Sequence, residues 1–188
     1  MKKLKRLLFF IHDESGNSSV EMAILFPIIM LVVMFITDRF IVYEGLTATT
    51  TSVNEAIRYA IVQDDADDAR TIVEDTLEER FAEQKMGWCL GDDVSKCKPW
   101  KANGIERRRQ SFESSKNSNL YIEVSDDEWC YGHYITVGVR AHKASLFPSY
   151  ENFRRLLTEG GPIFHTHKYV IKARIESSKE CSDGTGNH

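Results

Sequence analysis

Residues 13–40 read DESGNSSVEMAILFPIIMLVVMFITDRF, and this stretch decides how the rest of the chain is organised. Every residue from Met22 to Ile36 is apolar, and residues 40–42 extend the run beyond two charged positions. A membrane-spanning helix needs about 20 mainly apolar residues, so the stretch predicts a short transmembrane span. One carboxylate, Glu21, stands at its start. An ionisable group there is either an accident of the membrane interface or a functional contact.

The charges that flank the span predict its orientation. The residues before it are basic, whereas the flank after it has Arg39 against Asp38 and Glu44. The basic residues are Lys2, Lys3, Lys5 and Arg6. By the positive-inside rule the N-terminus is cytoplasmic and the chain after about residue 40 is exported. No small-residue cleavage pattern of a secretory signal follows the apolar run, so we expect the span to remain in the protein.

Length and charge limit the classes of protein. The chain has 188 residues, 42% of them hydrophobic, which is enough for one modest domain and an anchor. Its formal net charge is −4 although the leader is basic, and an acidic exported part argues against binding of nucleic acid. The run Arg107 to Arg109 follows Glu106 in a stretch rich in Lys, Asn and Ser. It favours a solvated loop over a phosphate-binding patch.

The opening stretch resembles the class III signal of type IV pilin-like proteins. It is most similar to the TadE/TadF-like minor pilins of the tight-adherence (Tad, or Flp) pilus system. A short basic leader ends in DESG, Glu21 lies five residues after Gly16, and VEMAILFPIIMLVVMF is similar to the family's E-x-A-x-x-x-P pattern, with Pro27 inside the span. The segment NEAIRYAIV, residues 54–62, resembles the end of the family's long N-terminal helix. The resemblance covers about residues 13–62.

The resemblance implies a processing step and a role for the carboxylate. A prepilin peptidase would cut between Gly16 and Asn17, and Glu21 would become the fifth residue of the mature chain. In related pilins this buried Glu is neutralised by the N-terminal amine of a neighbouring subunit, which makes it an assembly contact. Pro27 would kink the span, as membrane helices tolerate. Met22 stands where major Flp pilins usually carry an aromatic residue, which fits a minor component.

The function implied is that of a minor pilin or pseudopilin that initiates or anchors a Tad-type pilus and catalyses no reaction. Its expected partners are the prepilin peptidase, a sister minor pilin, the inner-membrane assembly platform, the major Flp pilin and membrane lipid. It would cross the inner (cytoplasmic) membrane once and carry a periplasmic C-terminal domain. The sequence leaves open whether the chain is TadE-like or TadF-like, whether it acts as an adhesin at the tip, and whether it is incorporated into the pilus. The alternative is a signal-anchored periplasmic binding protein or enzyme whose leader is never cut.

Three regions are predicted along the chain: a cytoplasmic leader (1–16), a transmembrane and extended N-terminal helix (17–63) and a periplasmic α+β domain (64–188). Helical spacing of apolar residues continues beyond the span to about residue 61. A second amphipathic helix is predicted from DDADD (64–68) to about Lys85, and Gly87 is expected to end it. Its apolar face is Ala66, Ala69, Val73, Leu77 and Phe81.

The rest of the exported part predicts few, short strands. Residues 87–119 have the composition of an irregular connection. Apolar residues then alternate in three segments, which predicts a short antiparallel sheet packed on the helices. These segments begin at Leu120, His133 and Tyr169.

Cys89, Cys97, Cys130 and Cys181 all fall on the side predicted to be exported. An even number of cysteines in an oxidising compartment indicates disulfides, for which the sequence permits three connectivities. We favour Cys89 with Cys97, which closes a short loop, and Cys130 with Cys181, which ties down the C-terminal tail. A zinc site is the less favoured reading, because closely paired ligands such as C-x2-C are missing.

Motifs of catalysis are missing: the sequence has no G-x-S-x-G, no Walker A loop and no H-E-x-x-H. His165 and His167 would share one face of a strand and could bind a metal with His133 as a third ligand. A pair of edge-strand histidines without function is the favoured interpretation. We therefore expect no cofactor, while metal binding by these histidines stays open.

Overall fold

A computed structural model of the chain describes residues 18–89, 97–102, 105–125, 128–143 and 166–181. The chain divides into two compact units, with the boundary between Phe40 and Ile41. The unit that begins at Ile41 holds the hydrophobic core. The part of the first helix after Phe40 lies in this second unit, and the domain boundary predicted at residue 64 stays a prediction. The predicted leader (1–16) lies outside the described residues.

The first two helices of the fold are long. Helix α1 is Ser18–Ala60, and helix α2 is Ala66–Glu83. Asp65 caps α2 by accepting a hydrogen bond from the backbone N–H of Ala66 at 2.7 Å. Four of the five residues predicted for the apolar face of α2 are buried. They are Ala69, Val73, Leu77 and Phe81.

The end of α2 differs from the prediction. The helix stops at Glu83, and Lys85 adopts the left-handed backbone conformation (φ 53°) that often follows a helix end. Gly87 does not end the helix but lies in a strand, where a Cβ atom would approach the carbonyl oxygen of Lys98 to 2.6 Å. The glycine is needed for close approach of two strands and not for helix termination.

The sheet is mixed rather than purely antiparallel, and its first strands lie in the stretch predicted to be irregular. Three short strands and one short helix occur there: β1 (Met86–Cys89), β2 (Cys97–Pro99), β3 (Ile105–Glu106) and α3 (Arg109–Ser114). The three predicted strands follow as β4 (Leu120–Val124), β5 (Tyr134–Lys143) and β6 (Thr166–Arg174). Strand β3 pairs with β4 in parallel, and α3 lies in the crossover between them.

Strand β5 is the centre of the sheet because three strands pair with it. Val137 lies opposite Ile122 of β4 and opposite Ile171 of β6, and Lys143 lies opposite Met86 of β1. All three pairings are antiparallel, as is β1 with β2. The strand order is β2-β1-β5-β4-β3, with β6 on β5 as well.

One hydrophobic core joins both helices to one face of the sheet. Alternate residues of β5 point into it, because successive side chains of a strand lie on opposite faces. The fully buried positions of α1 include two alanines, Ala56 and Ala60, which let the helix approach its neighbours closely. The ring of Phe81 meets that of Trp100 edge to face, with centroids 4.7 Å apart.

On the other face of the sheet, α3 is held by an arginine. The guanidinium of Arg140 donates to the carbonyl oxygens of Phe112 (2.9 Å), Ser115 (2.6 Å) and Ser118 (3.1 Å). It also lies 5.0 Å from the centre of the Phe112 ring. Carbonyls at the end of a helix lack partners within the helix, so Arg140 satisfies groups that the short α3 leaves open.

Gly45 lies where α1 packs tightly against side chains of β5 and β6. A Cβ atom at this position would lie 2.8 Å from Nε2 of His167 and 2.8 Å from Cβ of Lys143. A side chain at Gly45 therefore requires the side chains of His167 and Lys143 to shift.

The substitution Gly45→Ala is expected to destabilise the domain, although alanine is the better helix former by about 1 kcal/mol. Overpacking costs about 1–3 kcal/mol, so we expect a net loss of about 1 kcal/mol. The three tryptophans lie in the core, and their fluorescence during thermal unfolding of the full chain in mild detergent measures the effect. Thr47→Ala, at an exposed position of the same helix, is the control and should change the melting temperature little. A melting temperature of Gly45→Ala at or above that of the wild type would contradict this packing.

Candidate functional site

The first half of α1 exposes a continuous apolar surface. Every side chain from Glu21 to Val33 is exposed, and Met22, for example, keeps 64% of its surface accessible. The helix is long and apolar enough to cross a membrane, and an 18-residue stretch within it has a mean hydropathy of 2.2. Soluble proteins rarely leave apolar patches of this size open to water, and such surfaces mark contacts with lipid or protein. The predicted span is therefore supported by length and composition.

Glu21 is the acidic residue in the first turn of α1, and it is exposed on this apolar surface. A carboxylate near a helix N-terminus interacts favourably with the helix dipole. In lipid, however, an ionised side chain also needs a counter-charge or a polar surface. Gly16 and Asn17, the predicted cleavage site, lie outside the described residues.

Pro27 lies inside α1, and the helix continues through it. Proline has no backbone N–H, so the carbonyl of Ala23 cannot receive the usual bond from four residues ahead. Membrane helices tolerate this loss because neighbouring groups satisfy the carbonyl. The predicted kink at Pro27 stays a prediction.

Threonines further along α1 satisfy their own hydroxyl groups within the helix. Thr37 donates to the carbonyl of Val33 at 2.8 Å, and Thr49 donates to that of Gly45 at 2.8 Å. Thr47 donates in the same way, four residues back, at 3.0 Å. A hydroxyl bonded inside its own helix needs no partner from outside, which lowers the cost of placing it in an apolar environment.

Two disulfides cross-link the unit that begins at Ile41, and they are the pairs favoured from the spacing of the cysteines. Cys89 and Cys97 face each other across the β1–β2 pair. Cys130 precedes β5, and its partner Cys181 follows β6, so this second bond closes a much longer stretch of chain. The sequence separations are 8 and 51 residues.

The histidines do not gather as the metal alternative requires. In the strand register His167 lies opposite Ala141, whereas Tyr134, the neighbour of His133, lies opposite Arg174 at the far end of the pair. His133 therefore cannot share a ligand set with His167. His165 lies outside the described residues.

The structure instead places a histidine beside each disulfide. One group consists of Cys89, Cys97 and His142, and in it the ligand atoms lie within 4.8 Å of one another. The other consists of Cys130, His133 and Cys181, with the same closeness. The sequence interpretation missed both groups. The C-x2-H spacing from Cys130 to His133 is the signal that could have indicated the second one.

Two shifted pKa values on the outer face of the sheet have structural causes. Burial raises the pKa of Tyr121, and the hydrogen bond that its hydroxyl donates to Glu123 raises it further. Burial lowers the pKa of Arg140, whose guanidinium is committed to the carbonyls around α3. Each of these groups serves the packing of α3 and β4 against β5.

Removing the two disulfides should have unequal effects on stability. A cross-link stabilises by restricting the unfolded chain, and the restriction grows with loop length. The double variant Cys130→Ala/Cys181→Ala should lose about 4 kcal/mol, and the matched double variant Cys89→Ala/Cys97→Ala about 2.5 kcal/mol. Denaturant unfolding of the full chain followed by tryptophan fluorescence measures both. If removal of Cys89–Cys97 lowered the free energy of unfolding more than removal of Cys130–Cys181, loop length would not determine how much each disulfide stabilises the fold.

Comparison with known proteins gives no match: no protein-family model, curated protein or solved structure is similar to this chain.

Proposed function

We propose that this chain is a minor pilin or pseudopilin that takes part in the initiation or anchoring of a Tad-type pilus. The observation that carries the proposal is the exposed carboxylate of Glu21 on the otherwise apolar, exposed first half of α1. The resemblance of residues 13–62 to TadE/TadF-like proteins supports it. A helix with this surface needs both a lipid or protein environment and a partner for one charge.

Cleavage between Gly16 and Asn17 would supply that partner. Removal of the leader by a prepilin peptidase takes away its basic residues and leaves a free amine on Asn17. The amine of one subunit can neutralise Glu21 of the next, because in a low dielectric each charge is costly alone and favourable in a pair. Such a pair fixes the axial register between helices that otherwise share only apolar, non-directional contacts.

The proposed location and partners follow from this chemistry. The span would lie in the inner membrane with its N-terminus in the cytoplasm, where the peptidase acts, and the domain from Ile41 onward would be periplasmic. Two disulfides suit an oxidising compartment of this kind. The helix would pack against a sister minor pilin and the major Flp pilin, and the domain would contact the assembly platform.

Glu21→Ala tests the assembly role directly. Loss of the carboxylate makes insertion of the helix easier, so the variant should reach the membrane at wild-type levels. The variant should nevertheless lose the charge pair with the neighbouring amine. Loss of one member of a buried pair costs about 2–5 kcal/mol. We therefore expect pilus yield and co-purification of the sister pilin to fall at least about tenfold. Quantification of sheared pili and affinity purification from membranes measure the two effects.

Two further variants make the test specific. Glu21→Gln keeps the shape of the side chain without its charge and should fail in the same way. Met22→Ala shortens the adjacent exposed side chain and leaves the carboxylate in place, so it should assemble normally. Wild-type assembly by Glu21→Ala would show that the carboxylate is not an assembly contact.

A further inference from the structure

Two cysteines and a histidine converge where the segment that follows β6 meets the segment that leads into β5. Nε2 of His133 lies 3.5 Å from Sγ of Cys181, and the ligand atoms of Cys130, His133 and Cys181 all lie within 4.8 Å of one another. Cys130 is fully buried, whereas Cys181 is partly accessible. A small ion or reductant can therefore reach this group from the side of Cys181.

Backbone hydrogen bonds hold these residues together independently of the disulfide. The N–H of Tyr131 donates to the carbonyl of Lys179 at 2.8 Å, and the N–H of Gly132 donates to that of Ile175 at 3.1 Å. Both bonds tie the segment around His133 to the segment that leads to Cys181. Breaking the S–S bond therefore leaves the three side chains beside one another.

The imidazole of His133 is oriented as in a metal ligand. Its Nδ1 lies 3.0 Å from the carbonyl oxygen of Glu128, which can only accept a hydrogen bond. In the neutral ring the proton therefore sits on Nδ1, and Nε2 directs a lone pair towards the sulfur of Cys181. Histidines that bind metals in proteins usually donate their other ring N–H to a carbonyl or carboxylate in this way.

We propose that Cys130, His133 and Cys181 form a redox-gated zinc site, closed while the two cysteines are a disulfide and occupied by Zn²⁺ when they are reduced. The site is distinct from the assembly contact at Glu21 and does not depend on the pilus function. Two thiolates and an imidazole are the ligands that tetrahedral zinc prefers, and water would take the fourth position. Zinc would then tie the C-terminal segment to β5 before the disulfide forms.

A dithiol reductant supplies the electrons and protons that open the disulfide. The dithiol gives two electrons and two protons, the S–S bond between Cys130 and Cys181 breaks to give two thiols, and the reductant becomes a disulfide. Zn²⁺ binding then releases the two thiol protons to solvent, while the neutral His133 binds without proton loss. A small disulfide reverses these steps by thiol–disulfide exchange: it accepts the two electrons and two protons from solvent to become two thiols, the S–S bond between Cys130 and Cys181 forms again, and Zn²⁺ is released.

The test uses the full chain in detergent with Cys89→Ser/Cys97→Ser, so that one cysteine pair remains. The protein is reduced with a phosphine, which does not compete for zinc as a dithiol does. It is then titrated with Co²⁺ as a spectroscopic probe and with Zn²⁺. We expect one ion per chain in the reduced form, with thiolate-to-cobalt charge-transfer absorption, and no ion in the oxidised form. Circular dichroism recorded with and without zinc reports the fold of the reduced chain.

Variants separate this site from adventitious binding. In the same background His133→Ala should weaken zinc binding at least about tenfold, whereas His142→Ala, which alters the histidine of the other cysteine group, should bind as the parent does. Three results would overturn the proposal. His133→Ala could bind zinc as tightly as the parent, the oxidised protein could bind as the reduced protein does, or the reduced protein could bind no ion. A reduced chain that unfolds and regains its fold with zinc supports the proposal, and one that zinc does not restore overturns it.

Discussion

Burial of one face of α1 in the core is the interaction on which the folded unit depends. Val53, Ala56, Ile57 and Ala60 are fully or almost fully buried, and they join α2 and the sheet in a single hydrophobic cluster. The small side chains allow close contact, and at Gly45 the helix has no room for even a methyl group. Helices in proteins gain most of their stability from such tertiary contacts, because intrinsic helix propensity contributes little.

The two parts of α1 have different surface patterns. Each pattern indicates the environment that its part of the helix requires. Between Glu21 and Val33 the side chains are apolar and exposed on all sides, which demands lipid or other apolar helices. From Val53 onward only one face is apolar and buried, which is the pattern of a helix at the surface of a globular domain. The change of pattern explains why threonines lie between the two parts. Their hydroxyls bond to α1 itself and are acceptable in either environment.

Cross-links compensate for the modest size of the core. The long-range disulfide between Cys130 and Cys181 joins the chain before β5 to the chain after β6. Glu176 adds a backbone bond to Ile61 at 2.9 Å, and Trp129 donates from its ring nitrogen to the carbonyl of Gln63 at 2.7 Å. These contacts hold the segment before β5 and the segment after β6 against the turn that follows α1. Placing His133 beside Cys181 is a consequence of this closure.

Sequence patterns were informative where elements are long enough to show a period. Three turns of α2 repeat their apolar residues clearly, and the alternation in β5 gave its inward side. The short elements β1, β2, β3 and α3 have two to six residues, too few for any period, so the sequence predicts an irregular connection there. The parallel pairing of β3 with β4 depends on a tertiary crossover that no local pattern records. The group around His133 arises in the same way, from chain segments far apart in sequence.

We propose that Glu21 becomes an assembly contact once the leader has been removed at Gly16. The most direct measurement is the N-terminal sequence of the protein isolated from membranes of cells with and without an active prepilin peptidase. We expect a chain that begins at Asn17 only when the peptidase is active. A chain that still begins at Met1 or Lys2 when the peptidase is active would contradict it. The span would then be a plain anchor with a carboxylate at its edge.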